Sequence, residues 1–158
     1  MTSTALADDD DDDDDGDRVD LGDEDYEAQR CKEVAGRAAA LLAKLAELPT
    51  HASPQHPAVQ LAALLLRHCG CGKVTHLLRS TPPASVREAA RSYDAALLQA
   101  YEELAALDPL TAAQTLQCQL PLRRGGRGLR SQERLAPAAW VASWAQSVAE
   151  VLNRTGLD

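Results

Sequence analysis

Between Arg123 and Arg130 the chain places four arginines (Arg123, Arg124, Arg127, Arg130) and three glycines (Gly125, Gly126, Gly128) in eight residues. Guanidinium groups favour phosphate and carboxylate, and a residue without a Cβ lets backbone approach another surface closely. The combination describes a loop whose backbone N–H groups and arginines could reach one anion together. The ordinary alternative is a solvated basic loop. A nucleotide-binding loop is excluded, since Gly125-Gly126-Arg127-Gly128 follows no strand and has no Lys-Ser/Thr end.

Other residue types capable of chemistry are less well placed. His68-Cys69-Gly70-Cys71 with His76 invites a zinc reading, but structural zinc wants paired C-x₂-C knuckles and the spacing here is C-x-C. A Cys–His nucleophile pair lacks a third group to orient it. The body's carboxylates (Glu88, Asp94, Glu102, Glu103, Asp108) are scattered, with no pair that acid–base catalysis would use. No catalytic set, metal or cofactor is expected. Trp140 and Trp144, one helical turn apart, could stack on bases, although core or interface packing is the usual fate of such a pair.

The elements that position these residues read as helices. Ala and Leu dominate, while Phe and Ile are absent, a mix that favours helix over strand and gives a thin core. The expected fold is all-α, an irregular bundle of five to six helices over residues 26–158, behind a disordered acidic tail over residues 1–25. A first helix is expected from Tyr26 to Leu48 with Val34, Leu41, Leu45 and Leu48 on one face. Pro49 to Pro57 reads as a loop, followed by a helix carrying Leu61, Leu64, Leu65 and Leu66 that stops at the glycines near Cys69 to Gly72. A short helix, Lys73 to Arg79, precedes Pro82-Pro83. Ser85 to Glu88 matches a capping box, opening a helix with Val86, Ala90, Tyr93, Leu97, Ala100, Leu104 and Leu107 on its apolar stripe. Asp108-Pro109 reads as the start of another helix, running to Cys118. A last one spans Ala136 to Asn153, with Gly156 just past its end.

Charge divides the chain. The net charge is −8, yet residues 1–27 hold 14 acidic groups against one Arg, while the remainder holds 10 acidic and 15 basic groups. A modestly basic body is compatible with polyanion binding. The Asp8 to Asp15 run reads as a solubilising tail or as a nucleic-acid mimic folding back on the body; it lacks the spacing of a calcium loop. No secretory signal precedes it, and the apolar run at Leu61 to Leu66 is too short to span a bilayer. Four cysteines with no such signal suggest reduced thiols in an intracellular setting, nucleus or cytoplasm, with no membrane partner.

Two blocks carry a resemblance. The first is Leu66-Arg67-His68-Cys69-Gly70 through Lys73-Val74-Thr75-His76-Leu77-Leu78-Arg79-Ser80-Thr81-Pro82-Pro83. The second is Gln119-Leu120-Pro121-Leu122 with Gly125-Gly126-Arg127-Gly128-Leu129-Arg130-Ser131 and Ala136-Pro137-Ala138-Ala139-Trp140-Val141-Ala142-Ser143-Trp144. Over residues 58–151 the chain resembles the region downstream of the palm, the thumb or connection, of non-LTR (LINE-like) retrotransposon reverse transcriptases. Arg127 stands where that pattern usually has an apolar residue.

The resemblance implies a piece of a polymerase rather than a polymerase. Tyr93-Asp94-Ala95-Ala96 does not match the family's Tyr-x-Asp-Asp metal-binding turn, and two-metal phosphoryl transfer needs such carboxylates. The expectation is therefore a non-catalytic helical fragment that binds RNA or DNA backbone weakly and without sequence preference through Arg123, Arg124, Arg127 and Arg130. The alternatives are a helical protein–protein interaction module with an acidic solubilising tail, its Trp140/Trp144 face covered by another helical protein, and a decayed reading frame without a selected role.

Overall fold

A computed structural model describes residues 24–51 and 58–156. The acidic run and most of the Pro49 to Pro57 loop lie outside the described residues. Those described form six α-helices and no strand: α1 (Glu24–Glu47), α2 (Ala58–Leu65), α3 (Thr75–Ser80), α4 (Pro83–Ala105), α5 (Ala112–Gln119) and α6 (Gln132–Thr155). A 3₁₀ turn follows α1 at Leu48–His51, and α2 runs into a π-helical turn at Leu66–Gly70. The all-α expectation holds.

Helix α4 is the axis of the fold. Its buried positions Val86, Ala90, Tyr93, Leu97, Ala100 and Leu104 are the expected stripe; Leu107 lies past the helix end and is exposed. Helix α1 packs along α4 in the same direction. Lys32 pairs with Glu88 at 3.0 Å in the first halves of the two helices, and Leu42 and Leu97 both close on Gly70 further along. Helix α6 returns antiparallel to α4, with Glu133 beside Arg91 and, further along, Ala136 and Pro137 beside Pro83 and Arg87. It then continues along α3, where Arg79 donates to Gln146.

Alanine decides the faces more than leucine does. On α1 the buried residues are Cys31, Ala35, Ala38 and Leu42, with Val34 and Leu45 only partly buried and Leu41 exposed. Ala89 and Ala90 face them from α4. Small side chains let two helices approach closely, so the helices meet along the alanines and Leu41 turns outward. The same applies to α2, where Ala58, Ala62 and the following Leu66 are buried while Leu61 and Leu64 are exposed. The largest fully buried side chain is Tyr93, whose hydroxyl donates to the Gly70 carbonyl at 2.9 Å. Burial pushes the Tyr93 phenol up to about 12.

Several helix starts differ from expectation. Ser85 does not cap α4, because Pro82 stands at the N-cap and Pro83 opens the helix two residues earlier. Proline needs no N–H partner there, so the first turn forms without a side-chain cap. Glu88 is consequently free to pair with Lys32. Asp108-Pro109 does not open α5. Thr111 does, in a reciprocal capping box: its hydroxyl accepts from Gln114 N, and Gln114 Oε1 accepts from Thr111 N at 2.8 Å. Helix α6 begins at Gln132 rather than Ala136, with Ser131 at the N-cap and Pro137 inside the helix.

Candidate nucleic-acid interface

The arginine loop runs from the end of α5 to the start of α6, and the chain's own backbone fixes its path. Arg127 N and Leu129 N both donate to Cys118 O, Gly128 N to Leu120 O, and Gly126 N to Pro121 O, at 2.9–3.3 Å. Arg124 N, Gly125 N and Arg130 N donate to the Pro121, Leu122 and Gly128 carbonyls. Every backbone N–H from Arg124 to Arg130 is thus used internally. This corrects the expectation that the glycines free backbone donors for an anion. Their role is steric: a Cβ on Gly126 would sit 1.9 Å from Leu120 O, and Gly128 has φ +75° with the Arg67 side chain packed over it.

Two other elements brace the loop. From α4, Asp94 accepts from Ser131 Oγ at 2.6 Å, Gln132 N at 2.7 Å and Glu133 N at 3.2 Å, so its carboxylate satisfies the orphan donors at the start of α6. Burial holds the Asp94 carboxyl above its ordinary range, although the bonds from Ser131, Gln132 and Glu133 pull the other way. From the turn after α2, the Cys71 thiol points at Gly128 O, 3.8 Å away. Leu129 is buried in the core between the two.

What the loop leaves outward is guanidinium. Arg123, Arg124, Arg127 and Arg130 are all exposed, and none of the ion pairs among the described residues includes them. They do not converge on one point. Arg130 borders a groove of about 640 Å³ between α5 and α6, opposite Leu116 and beside Arg134. Arg127 borders another of about 470 Å³ between α2, α4 and the loop, beside Arg67. Arg123 and Arg124 stand on the short 3₁₀ turn Leu122–Arg124. A spread array of this kind suits a polymer of phosphates better than a single anion.

Two residues join the site that the loop sequence does not announce, Arg67 and Arg134. A readable signal exists for Arg67, while Arg134, next to Glu133, has none. Residues 48–87 and 109–132 contain no Asp or Glu, and the fold lays the first stretch against the second where Arg67 packs on Gly128. Arg67 also donates from Nε to His68 Nε2 at 3.2 Å.

The fold separates the remaining candidates. Cys69 is exposed while Cys71 is buried, and burial pushes the Cys71 and Cys118 thiols up, which disfavours the thiolate that a nucleophile needs. Among the described residues no cluster of three or more His, Cys, Asp or Glu is placed to hold a metal ion. Trp140 and Trp144 meet edge to face, 5.8 Å between ring centroids, but Trp144 is 52% exposed. The two rings therefore pack on each other at the surface and not in the core, because Trp144 lies on the side of α6 turned away from Gln146, which bonds Arg79 of α3. No described helix is long and apolar enough to cross a membrane. No family model, curated protein or solved structure matches the chain.

Proposed function

We propose that this is a non-catalytic helical module, resembling the post-palm region of a non-LTR retrotransposon reverse transcriptase, that holds nucleic-acid backbone without reading sequence. The observation that carries the reading is the braced loop presenting Arg123, Arg124, Arg127 and Arg130 outward with no acidic partner among the described residues. A guanidinium already paired to carboxylate must break that pair before it meets phosphate, and these need not. Arg67 and Arg134 extend the array on either side. The absence of a Tyr-x-Asp-Asp turn agrees with a holding role rather than a polymerising one.

Fluorescence anisotropy with labelled single- and double-stranded oligonucleotides of several sequences tests this. Binding should be similar across sequences, weaken with salt, and fall when the four loop arginines become alanine. Binding indifferent to salt, or unchanged in that variant, would reject it. The protein-binding alternative draws support from a different feature, the exposed face of α6 around Trp144 and Val148, within a stretch (residues 135–149) that carries no charge.

A further inference from the structure

Between Arg134 and Glu150, residues 135–149 of α6 contain no charged side chain. Such a segment would normally be buried, yet every residue from Trp144 to Gly156 is exposed. Val141, Ala145, Val148 and Leu152 recur at spacings of four, three and four, forming a single stripe flanked by Trp144. The stripe faces away from the body: the opposite side of the helix holds Ala139, packed on the core, and Gln146, bonded to Arg79 of α3. Charge depletion with an aromatic flank is the composition of an interface centre.

We infer that this stripe is a self-association surface, on which α6 of a second copy lies antiparallel. A partner selected by charge finds nothing to read here, since the nearest charges downstream, Glu150 and Arg154, already pair with each other at 2.7 Å. Residues 1–23 are a poor occupant, because eleven of them are aspartates and an uncharged apolar stripe offers those no compensation. The stripe does complement itself. Turned about the midpoint between Ala145 and Val148, Val141 meets Leu152 of the second copy, and Ala145 meets Val148. Val141 and Leu152 then fill the outer positions and Ala145 and Val148 the centre, Trp144 falls opposite Ala149, and the two helix dipoles oppose as well. The pairing is isologous and closes as a two-fold dimer. Four turns of helix supply fewer than the roughly 20–30 residues a side of a standard interface, so the dimer belongs to the weak, concentration-dependent class.

Sedimentation of the full chain over a roughly thousandfold dilution series spanning micromolar concentrations tests this. The mass should rise from 16.9 kDa toward twice that value at the concentrated end. Val148→Glu should hold it at the monomer, with helical circular dichroism unchanged because the site is exposed. Geometry is tested separately by oxidation in a Cys69→Ser background, which removes the exposed native thiol. Val148→Cys should cross-link to itself. Val141→Cys alone should not, its copies lying about 16 Å apart along the pair, but a mixture of Val141→Cys and Leu152→Cys should. A chain monomeric throughout overturns the inference, as does dimerisation that survives Val148→Glu. Self-cross-linking of Val141→Cys as ready as that of Val148→Cys overturns the antiparallel register. Dimerisation that appears only after removal of residues 1–23 would assign the stripe to that segment instead.

Discussion

Replacing Asp94 with alanine removes the acceptor that ties the end of the arginine loop to α4. Three donors are left without their partner: Ser131 Oγ, Gln132 N and Glu133 N. The hydroxyl can rotate, and Glu133 N lies where water can reach it, but Gln132 is fully buried and its N–H has no other acceptor to turn to. An unsatisfied buried donor costs roughly 1–3 kcal/mol, and with the weaker effects at the other two the change should destabilise by ~2–4 kcal/mol. That corresponds to a fall in Tm on the order of 10 °C for a domain of this size. The pH dependence has a definite sign. Burial raises the Asp94 pKa in the fold, so the pH-linked part of its contribution is full below the ordinary carboxylate range and is lost as pH rises through the folded value, while the three hydrogen bonds still brace the loop at neutral pH. The Tm gap between wild type and Asp94→Ala should therefore be wider near about pH 4 than near about pH 8. Differential scanning calorimetry across pH, with exposed Asp108→Ala as the control, measures both. A Tm within about 2 °C of wild type at neutral pH would refute the bracing role.

Gly126→Ala should destabilise and weaken oligonucleotide binding together, since its Cβ cannot share space with Leu120 O; thermal melting and anisotropy on one sample check both. Gly36→Ala has the opposite sign: nothing lies within 4 Å of the added methyl in the middle of α1, so stability should rise by about 1 kcal/mol in thermal melts. Removal of residues 1–23 should tighten oligonucleotide binding at low salt and less so at high salt if their eleven aspartates compete with phosphate for the arginines. Unchanged affinity would leave it a solubilising segment. In a spectrophotometric titration one phenol should ionise only near about 12, and Tyr93→Phe should abolish that late step.

Much of the fold is legible in the sequence where large apolar residues recur, as along Val86 to Leu104 of α4. It is less legible where alanines join the helices. Ala35, Ala38 and Ala62 carry no distinctive signal, and the leucines beside them draw attention to the wrong faces. Capping misleads at Ser85 and Asp108 because two candidate starts compete within a few residues, and only packing against a neighbour chooses between them. For the loop, the arginines can be read directly and the work of the glycines cannot. Gly126 is required by a backbone oxygen six residues earlier, an approach that exists only after α5 ends and the chain doubles back. Asp94 reads as a stray carboxylate in the sequence since its partners lie 37 to 39 positions away.

The salt dependence of oligonucleotide affinity tests the central claim most directly. Removing one phosphate-binding side chain lowers the slope of log K against log salt by about 0.9 for duplex DNA and about 0.7 for a single strand. If Arg123, Arg124, Arg127 and Arg130 each hold a phosphate, converting all four to alanine should flatten the duplex slope by about 3.6. Single substitutions should each remove about a quarter of that, because the four stand apart and act on separate phosphates. A slope that does not change in the quadruple variant, with the fold intact by circular dichroism, would contradict the account.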